Sequence, residues 1–439
     1  MTEDQSHASQ SNAAIACIQP SLYEAALVWL KIGLLSFGGP AAQIALMHRV
    51  LVEEKGWIND KDFLHSLSFC MLLPGPEAMQ QATYVGWRLH GTVGGLVAGL
   101  LFTLPGALVM LAIAMAYVMA NDLSLMTALL FGIKAAVLVI VIQALIRVSK
   151  KALRHKMHWY IAALSFVGLF FFYVPFPLIV ISSGLLGFAI TNDQKKETDA
   201  IDFQLNKTQF LKTVFTICIW LSIWSLPFFA LVYWNQFSIL SDIGEFFTKL
   251  ALVTFGGAYA VLSYLAQDVV NQFGWLSIGE MMDGLGLAES TPGPLILVTE
   301  FTGFIAAYRD GGLMVGLLGA LITLWVTFVP CFLWIFAGAP YIDWVSTQAK
   351  LAGALSTITA AVVGAILNLS IWFALHVTFA SVTSERIGPI VLWAPDFSST
   401  NWQLILLACV CGLLLFKWQW SIIKVLTFAS AAGWLMTML

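Results

Sequence analysis

Apolar positions in this 439-residue chain fall in long runs, and polar positions gather in short connectors. From Ser21 the chain is apolar up to Phe37 and then meets Gly38-Gly39-Pro40; residues 41–52 form a second, shorter apolar stretch ending in Glu53-Glu54-Lys55-Gly56-Trp57. Segments 60–73 and 77–88 are each too short to cross a hydrocarbon layer of about 30 Å at a rise of about 1.5 Å per residue. Pro74-Gly75-Pro76 between them cannot continue a helix. Full-length spans are predicted over 93–119 and 125–148, followed by a helical hairpin over 159–191. A polar segment, 192–211, then precedes a single apolar segment over 212–238.

The pattern then starts again. An offset of 218 residues places Lys31 on Lys249, Phe37-Gly38-Gly39 on Phe255-Gly256-Gly257, and Pro74-Gly75-Pro76 on Pro292-Gly293-Pro294. Thirteen of the 46 positions from Lys31 to Pro76 are identical without a gap, and they are mostly Gly, Pro and aromatic residues. Chance matching in an apolar chain would favour Leu and Val, so the unit is duplicated. The expected division is a disordered leader (1–19), a first repeat (20–191), a cytoplasmic linker (192–211), a connecting span (212–238) and a second repeat (239–439).

Composition fixes the class. The chain is 59% hydrophobic and 10% charged, against about 25% charged in soluble domains, and runs of this length suit helices in a bilayer. Arg147, Lys150, Lys151, Arg154 and Lys156 form a cluster without an acid, which the positive-inside rule places in the cytoplasm. If the first repeat returns to its starting face, the connecting span crosses once and the second repeat starts from the other side. The expectation is an all-α integral membrane protein of two inverted-topology repeats, with broken or re-entrant helices at the FGG and PGP motifs. A rival threading makes 21–37 a simple span with the N-terminus outside. The net charge of −3 and the absence of a basic stripe exclude a nucleic-acid partner, and six scattered cysteines show no metal or redox spacing.

Helix ends at membrane depth are tolerated only where protein buries them or they line a cavity. Helices that start there offer unpaired N–H groups and a positive dipole end to an anion. The candidate anion-binding set is Lys31, Gly38, Gly39, Arg49, Pro74, Gly75, Pro76 and Gln80 in the first copy. In the second copy it is Lys249, Gly256, Gly257, Ser290, Thr291, Pro292, Gly293 and Pro294. The plainer alternatives are kinks between packed helices, lysines that snorkel to the interface, and Ser290 and Thr291 as caps. Intramembrane carboxylates are costly and commonly carry protons, so Glu77, Glu289 and Glu300 are the candidate proton-coupling groups. Lys134, mid-span, is either pathway-facing or paired.

The tracts SFGGPAAQIALM, MLLPGPEAMQQATYVGWRLHG (Met71–Gly91), TFGGAYAVL and GWLSIGEMMDGLGLAESTPGPLILVTEFTGFIAAY (Gly274–Tyr308) resemble the long, two-domain form of the chromate ion transporter family. The resemblance implies efflux of chromate, a sulfate-like divalent oxyanion, across the bacterial cytoplasmic membrane, with chromate resistance as the outcome and two oppositely oriented halves. It implies no cofactor or metal, and chromate, with sulfate and protons as further candidates, as the partners beside the lipid. A homodimer is left open. The chain has no Walker A sequence, which favours a secondary active transporter driven by membrane potential, proton exchange or both. A sulfate or other oxyanion transporter and an anion channel are the competing readings. An intramembrane hydrolase lacks both a GxGD-type pair and HExxH.

Overall fold

The computed structural model describes residues 19–119, 124–191, 207–234, 238–255 and 258–438. Nearly all of the leader and most of the 192–211 linker lie outside the described residues. The first copy opens with α1 (Leu22–Leu35), capped by Ser21, whose hydroxyl accepts from the Glu24 amide. Helix α2 (Gly39–His48) continues into a π turn, Arg49–Glu54. Helix α3 (Asp60–Cys70) follows, with Asn59 capping it. Helix α4 (Glu77–Met119) contains non-helical backbone at His90 and Gly91.

That interruption in α4 is a hairpin turn. Gly86 abuts Gly94, and a Cβ on Gly99 would stand 2.5 Å from Thr83 Oγ1, so the two arms fold back on each other. Two more reversals share its face. Lys55 Nζ pairs with Glu24 Oε1 at 3.0 Å, closing the α1–α2 excursion, and Arg88 pairs with Asp62 at 2.5 Å, closing the excursion from α3 into α4. Both broken elements thus leave and re-enter on one side.

Helices α5 (Ser124–Ala152), α6 (Lys156–Phe172), α7 (Phe176–Ile190) and α8 (Lys207–Trp234) complete the first half and the connecting span. The second copy repeats the plan with α9 (Ser238–Val253), α10 (Ala258–Ala266) and its π turn Gln267–Gln272, α11 (Ile278–Ser290) and α12 (Val298–Gly338). The non-helical turn in α12 falls at Gly311 and Gly312, and Arg309 pairs with Glu280, the N3 residue of a Ser277 capping box. Asp62 and Glu280 are separated by the repeat offset, so the closing ion pair is duplicated with the rest. Helices α13 (Ile342–Thr347), α14 (Ala349–Thr378), α15 (Trp402–Gly412) and α16 (Ile422–Met438) finish the chain. Between α14 and α15 lies an exposed antiparallel hairpin, β1 (Val382–Ile387) and β2 (Ile390–Pro395), turning at Gly388.

The two copies interlock. Helix α5 packs on α15 and α16, while α14 packs on α6 and α7. The second arms of α4 and α12 run antiparallel, with Gly95 against Phe336 and Gly99 against Phe332. Each arm is about 40 Å long at about 1.5 Å per residue, which puts the turns at Gly91 and Gly312 at opposite ends of the pair. Small residues permit these approaches, as is usual where apolar surface alone gives no drive to associate. Among the described residues, five helical stretches are long and apolar enough to span a bilayer: Glu77–Met119, Leu125–Ala152, Lys207–Leu231, Leu295–Val345 and Ala349–Thr378. Four shorter apolar helices accompany them. The chain is an all-α, multi-pass integral membrane protein.

Candidate functional site

The first FGG break, both PGP breaks and the end of α9 at Thr254 meet in the interior. Helix α1 ends at Ser36, whose hydroxyl donates to the Ile32 carbonyl at 2.7 Å. Gly38 and Gly39 then adopt φ of +86° and +79°, values that only glycine takes readily, and α2 starts with Pro40 in its first turn. Gly75 (φ +121°) and Gly293 (φ +89°) turn the chain at the two PGP motifs. The Gly75 amide donates to the Thr254 carbonyl at 2.7 Å, and the Gly293 amide donates to the Ser36 carbonyl at 2.8 Å. Ser36 and Thr254 are one repeat apart, as are Gly75 and Gly293. Each PGP glycine therefore satisfies the helix end that precedes the other copy's FGG.

This exchange corrects one expectation: the two glycine amides are not available to an anion. Glycine is needed there for space, because a Cβ on Gly75 would lie 2.8 Å from Cys331 Sγ and 2.9 Å from Gln80 Nε2. Gln80 Nε2 donates to the Pro74 carbonyl at 2.7 Å, and Gln43 Nε2 donates to the Gly293 carbonyl at 2.6 Å, so each PGP is braced by a buried amide. Ser290 and Thr291 bond back to Leu287 and Ala288, finishing α11. Amides of the first turn of α4, residues 77–79, still have no partner within their helix.

A cavity of about 350 Å³ lies against these breaks, many times the ~30 Å³ share of one water. Pro40 and Ala41 from the first FGG break, Gly75 and Glu77 from the first PGP break, and Tyr259 from just after the second FGG form its inner end. Ser356 and Thr359 of α14 line one side, and Arg147, Lys151 and Arg154 from the end of α5 line another. Among the described residues none of these three cations is held in an ion pair. At the cavity's inner end the Tyr259 hydroxyl donates to Glu289 Oε1 at 2.8 Å. Glu289 Oε2 is buried without a partner among the described residues.

The other expected residues lie elsewhere. Lys31 is exposed on α1 beside exposed Leu27, Leu30 and Leu34. Lys249 is exposed and paired with Glu245 at 2.5 Å, and exposed Arg49 is paired with Glu54 at 3.4 Å. None of the three is brought to the breaks. Glu300 is 1% exposed on α12, with both carboxyl oxygens unpartnered among the described residues, and does not line the cavity. Gly256 and Gly257 lie outside the described residues. Lys134 is paired: its Nζ is 3.4 Å from Asp283 Oδ1, and Tyr117 donates to Asp283 Oδ2 at 3.0 Å.

Sequence reasoning did not select Gln43, Tyr259, Ser356 or Thr359. It used Arg147, Lys151 and Arg154 only as a topology signal. The i, i+4 spacing of Arg147 and Lys151 marks one face of α5, a signal that was present in the chain, while Arg154 lies two residues past the helix end.

Broken helices meeting beside a cation-walled cavity in an apolar bundle suit a membrane transport protein. The chromate transporter family matches residues 23–188 and 241–434, and the chain belongs to this family; it is a transporter, not an enzyme, and a multi-pass protein of the cytoplasmic membrane. It is 30% identical to a chromate transport protein of Pseudomonas aeruginosa over 93% of this chain and 90% of that one. It is 29% identical to a chromate transport protein of Cupriavidus metallidurans over 79% and 81%. An uncharacterised transporter of Methanocaldococcus jannaschii is 27% identical over 90% and 95%. No solved structure matches the chain.

Proposed function

We propose that the protein is a secondary active transporter that exports chromate from the cytoplasm, and that chromate resistance follows from this export. The observation that carries the reading is the wall of Arg147, Lys151 and Arg154, unpaired among the described residues, over a cavity that ends at the FGG and PGP breaks. A dianion leaving bulk water needs several donors, since desolvating a charge costs far more than one hydrogen bond returns. Guanidinium and ammonium groups collect it at the mouth, and the first-turn amides of α4 with Ser356 and Thr359 complete its shell. By the positive-inside rule the same cations support a mouth on the cytoplasmic side, where a substrate for export must enter.

The antiparallel arms of α4 and α12, with their turns at opposite ends, support two repeats of inverted topology. Two such repeats supply matching half-sites facing opposite sides of the membrane. Outward movement of a dianion from a cell negative inside is favoured by about 4.6 kcal/mol per 100 mV, twice the value for one charge, so potential alone can drive it. Radiolabelled chromate flux in inside-out vesicles, with pH and potential clamped separately, tests the reading. Accumulation that follows the potential and falls about tenfold or more in apparent affinity in Arg147→Gln is expected, since a charge-assisted contact is worth about 1.5–3 kcal/mol. Potential-independent chromate flux, or undiminished affinity in that variant, contradicts it. Sulfate competing as strongly as chromate would make sulfate the physiological cargo.

A further inference from the structure

The cavity wall holds one carboxylate as well as cations, and a second carboxylate is buried just behind it, a strange setting for an anion site. Glu77 lines the wall near Lys151, and Glu289 stands behind the wall, bonded to the cavity residue Tyr259 and within reach of the charge of Arg147. Glu289 is 5% exposed, and its Oε2 atom has no partner among the described residues. The offset of the repeat sets Glu289 on Met71, which lines the cavity, so the second copy carries a carboxylate where the first has a thioether.

We propose that Glu289 is a proton site linked to the oxyanion through Arg147, such that dianion and proton bind together rather than in exchange. The proposal rests on the transport reading above. An ionised Glu289 repels the dianion and competes with it for the Arg147 charge. A protonated Glu289 does neither, and its buried Oε2 is free to carry the proton while Oε1 keeps the Tyr259 hydrogen bond. Linkage is reciprocal: if the proton raises anion affinity, the anion raises proton affinity by the same factor, and binding takes up a proton. No covalent bond is made or broken beyond that protonation.

The other charged groups around α11 do not change the sign. From α5 come Arg147 and, two turns back along α11, Lys134, which is paired with Asp283. Helix α4 brings Glu77 to the same cavity and Tyr117 to Asp283. Helix α10 brings Tyr259, α12 carries Glu300 outside the cavity, and Lys424 of α16 is exposed. Glu77 acts in the same direction as Glu289, because it too is a negative charge beside the anion's place.

The consequence for energetics is definite. A dianion that travels with one proton carries a single net charge, so the electrical drive for export falls to about 2.3 kcal/mol per 100 mV.

The test uses the full-length protein in detergent, with chromate as the probe. Chromate dissociation constants are measured at pH 6.5 and 8 for the wild type, Glu289→Gln and Glu289→Asp. The aqueous titration of chromate is common to all three and cancels in the comparison. The wild type should gain about five- to tenfold more affinity on acidification than Glu289→Gln, and Glu289→Asp, which keeps a carboxyl, should restore most of the gain. Calorimetry of the wild type at pH 8, where free chromate is already the dianion, in two buffers of different ionisation enthalpy should show proton uptake on binding, a readout that needs no variant to fold. Equal gains in wild type and Glu289→Gln, or proton release on binding, overturns the proposal while leaving chromate transport standing. Absence of chromate binding to the wild type at both pH values overturns the transport reading and this proposal with it.

Discussion

Gly75→Ala is the sharpest probe of the breaks. The backbone there has φ +121°, and the new methyl carbon would lie 2.8 Å from Cys331 Sγ and 2.9 Å from Gln80 Nε2. Strain at a backbone conformation foreign to L-residues costs about 1–3 kcal/mol, and forcing an extra carbon into a packed core costs about 1–3 kcal/mol more. The sum, about 2–6 kcal/mol, is a large share of a typical stability of about 5–15 kcal/mol. Relief by moving Gln80 would release the Pro74 carbonyl that it braces, and relief by moving the turn would lengthen the 2.7 Å bond to Thr254. Gly56→Ala is the matched control. It also has positive φ, +62°, but nothing lies within 4 Å of the added carbon, so its cost is limited to about 1–2 kcal/mol of left-handed backbone. Chromate flux per mole of inserted protein in inside-out vesicles, with melting of the purified variants, should show Gly75→Ala nearly inactive or strongly destabilised and Gly56→Ala close to wild type. Equal flux and equal melting temperature for the two would refute the claim that the PGP turn is built around a bare backbone.

Three further outcomes are expected. Single cysteines at Lys150 and at Ser384, the latter in the exposed β-hairpin, should react with impermeant thiol reagents from opposite sides of the membrane; labelling of both from one side would overturn the inverted arrangement. Lys31→Ala and Lys249→Ala should leave chromate flux unchanged, because both side chains face away from the breaks, and a loss in a well-inserted double variant would return them to the pathway. Lys134→Ala should lower the melting temperature by leaving Asp283 as a buried charge, a loss of about 3–5 kcal/mol for a fully buried pair and less here because Lys134 keeps 26% of its side-chain surface. Replacing both partners with Met and Leu should recover much of it, and a double variant no more stable than the single would show that the pair is not coupled.

Much of the scaffold could be read in the chain because its signals are local. Gly38-Gly39-Pro40 and Pro74-Gly75-Pro76 stop helices by backbone chemistry alone. The hairpin at His90 and Gly91 sits where the short element and the following full span were separated in the sequence. The site was less legible because it depends on which helical faces meet. Arg147, Lys151 and Arg154 have the composition of a cytoplasmic margin, and only the packing of α5 against α14, α15 and α16 turns them toward the breaks. Lys31 and Lys249 misled for the converse reason: duplication preserves a position whether it faces a pathway or the outside. The β-hairpin was missed because Val382–Pro395 is short and exposed, with a pattern that no buried face enforces.

The crossed bonds from Gly75 to Thr254 and from Gly293 to Ser36 bear on how the protein is made. While the ribosome has delivered only the first copy, the Ser36 carbonyl and the Gly75 amide both await partners some two hundred residues away. Each such buried group left unpaired costs about 1–3 kcal/mol. The early half is therefore expected to stay loose at its breaks until the later half is inserted and the two exchange these bonds. The linker between them then acts during biogenesis as a tether that raises the local concentration of one copy for the other. Two half-chains synthesised separately could still assemble by the same exchange, more slowly and in proportion to their abundance.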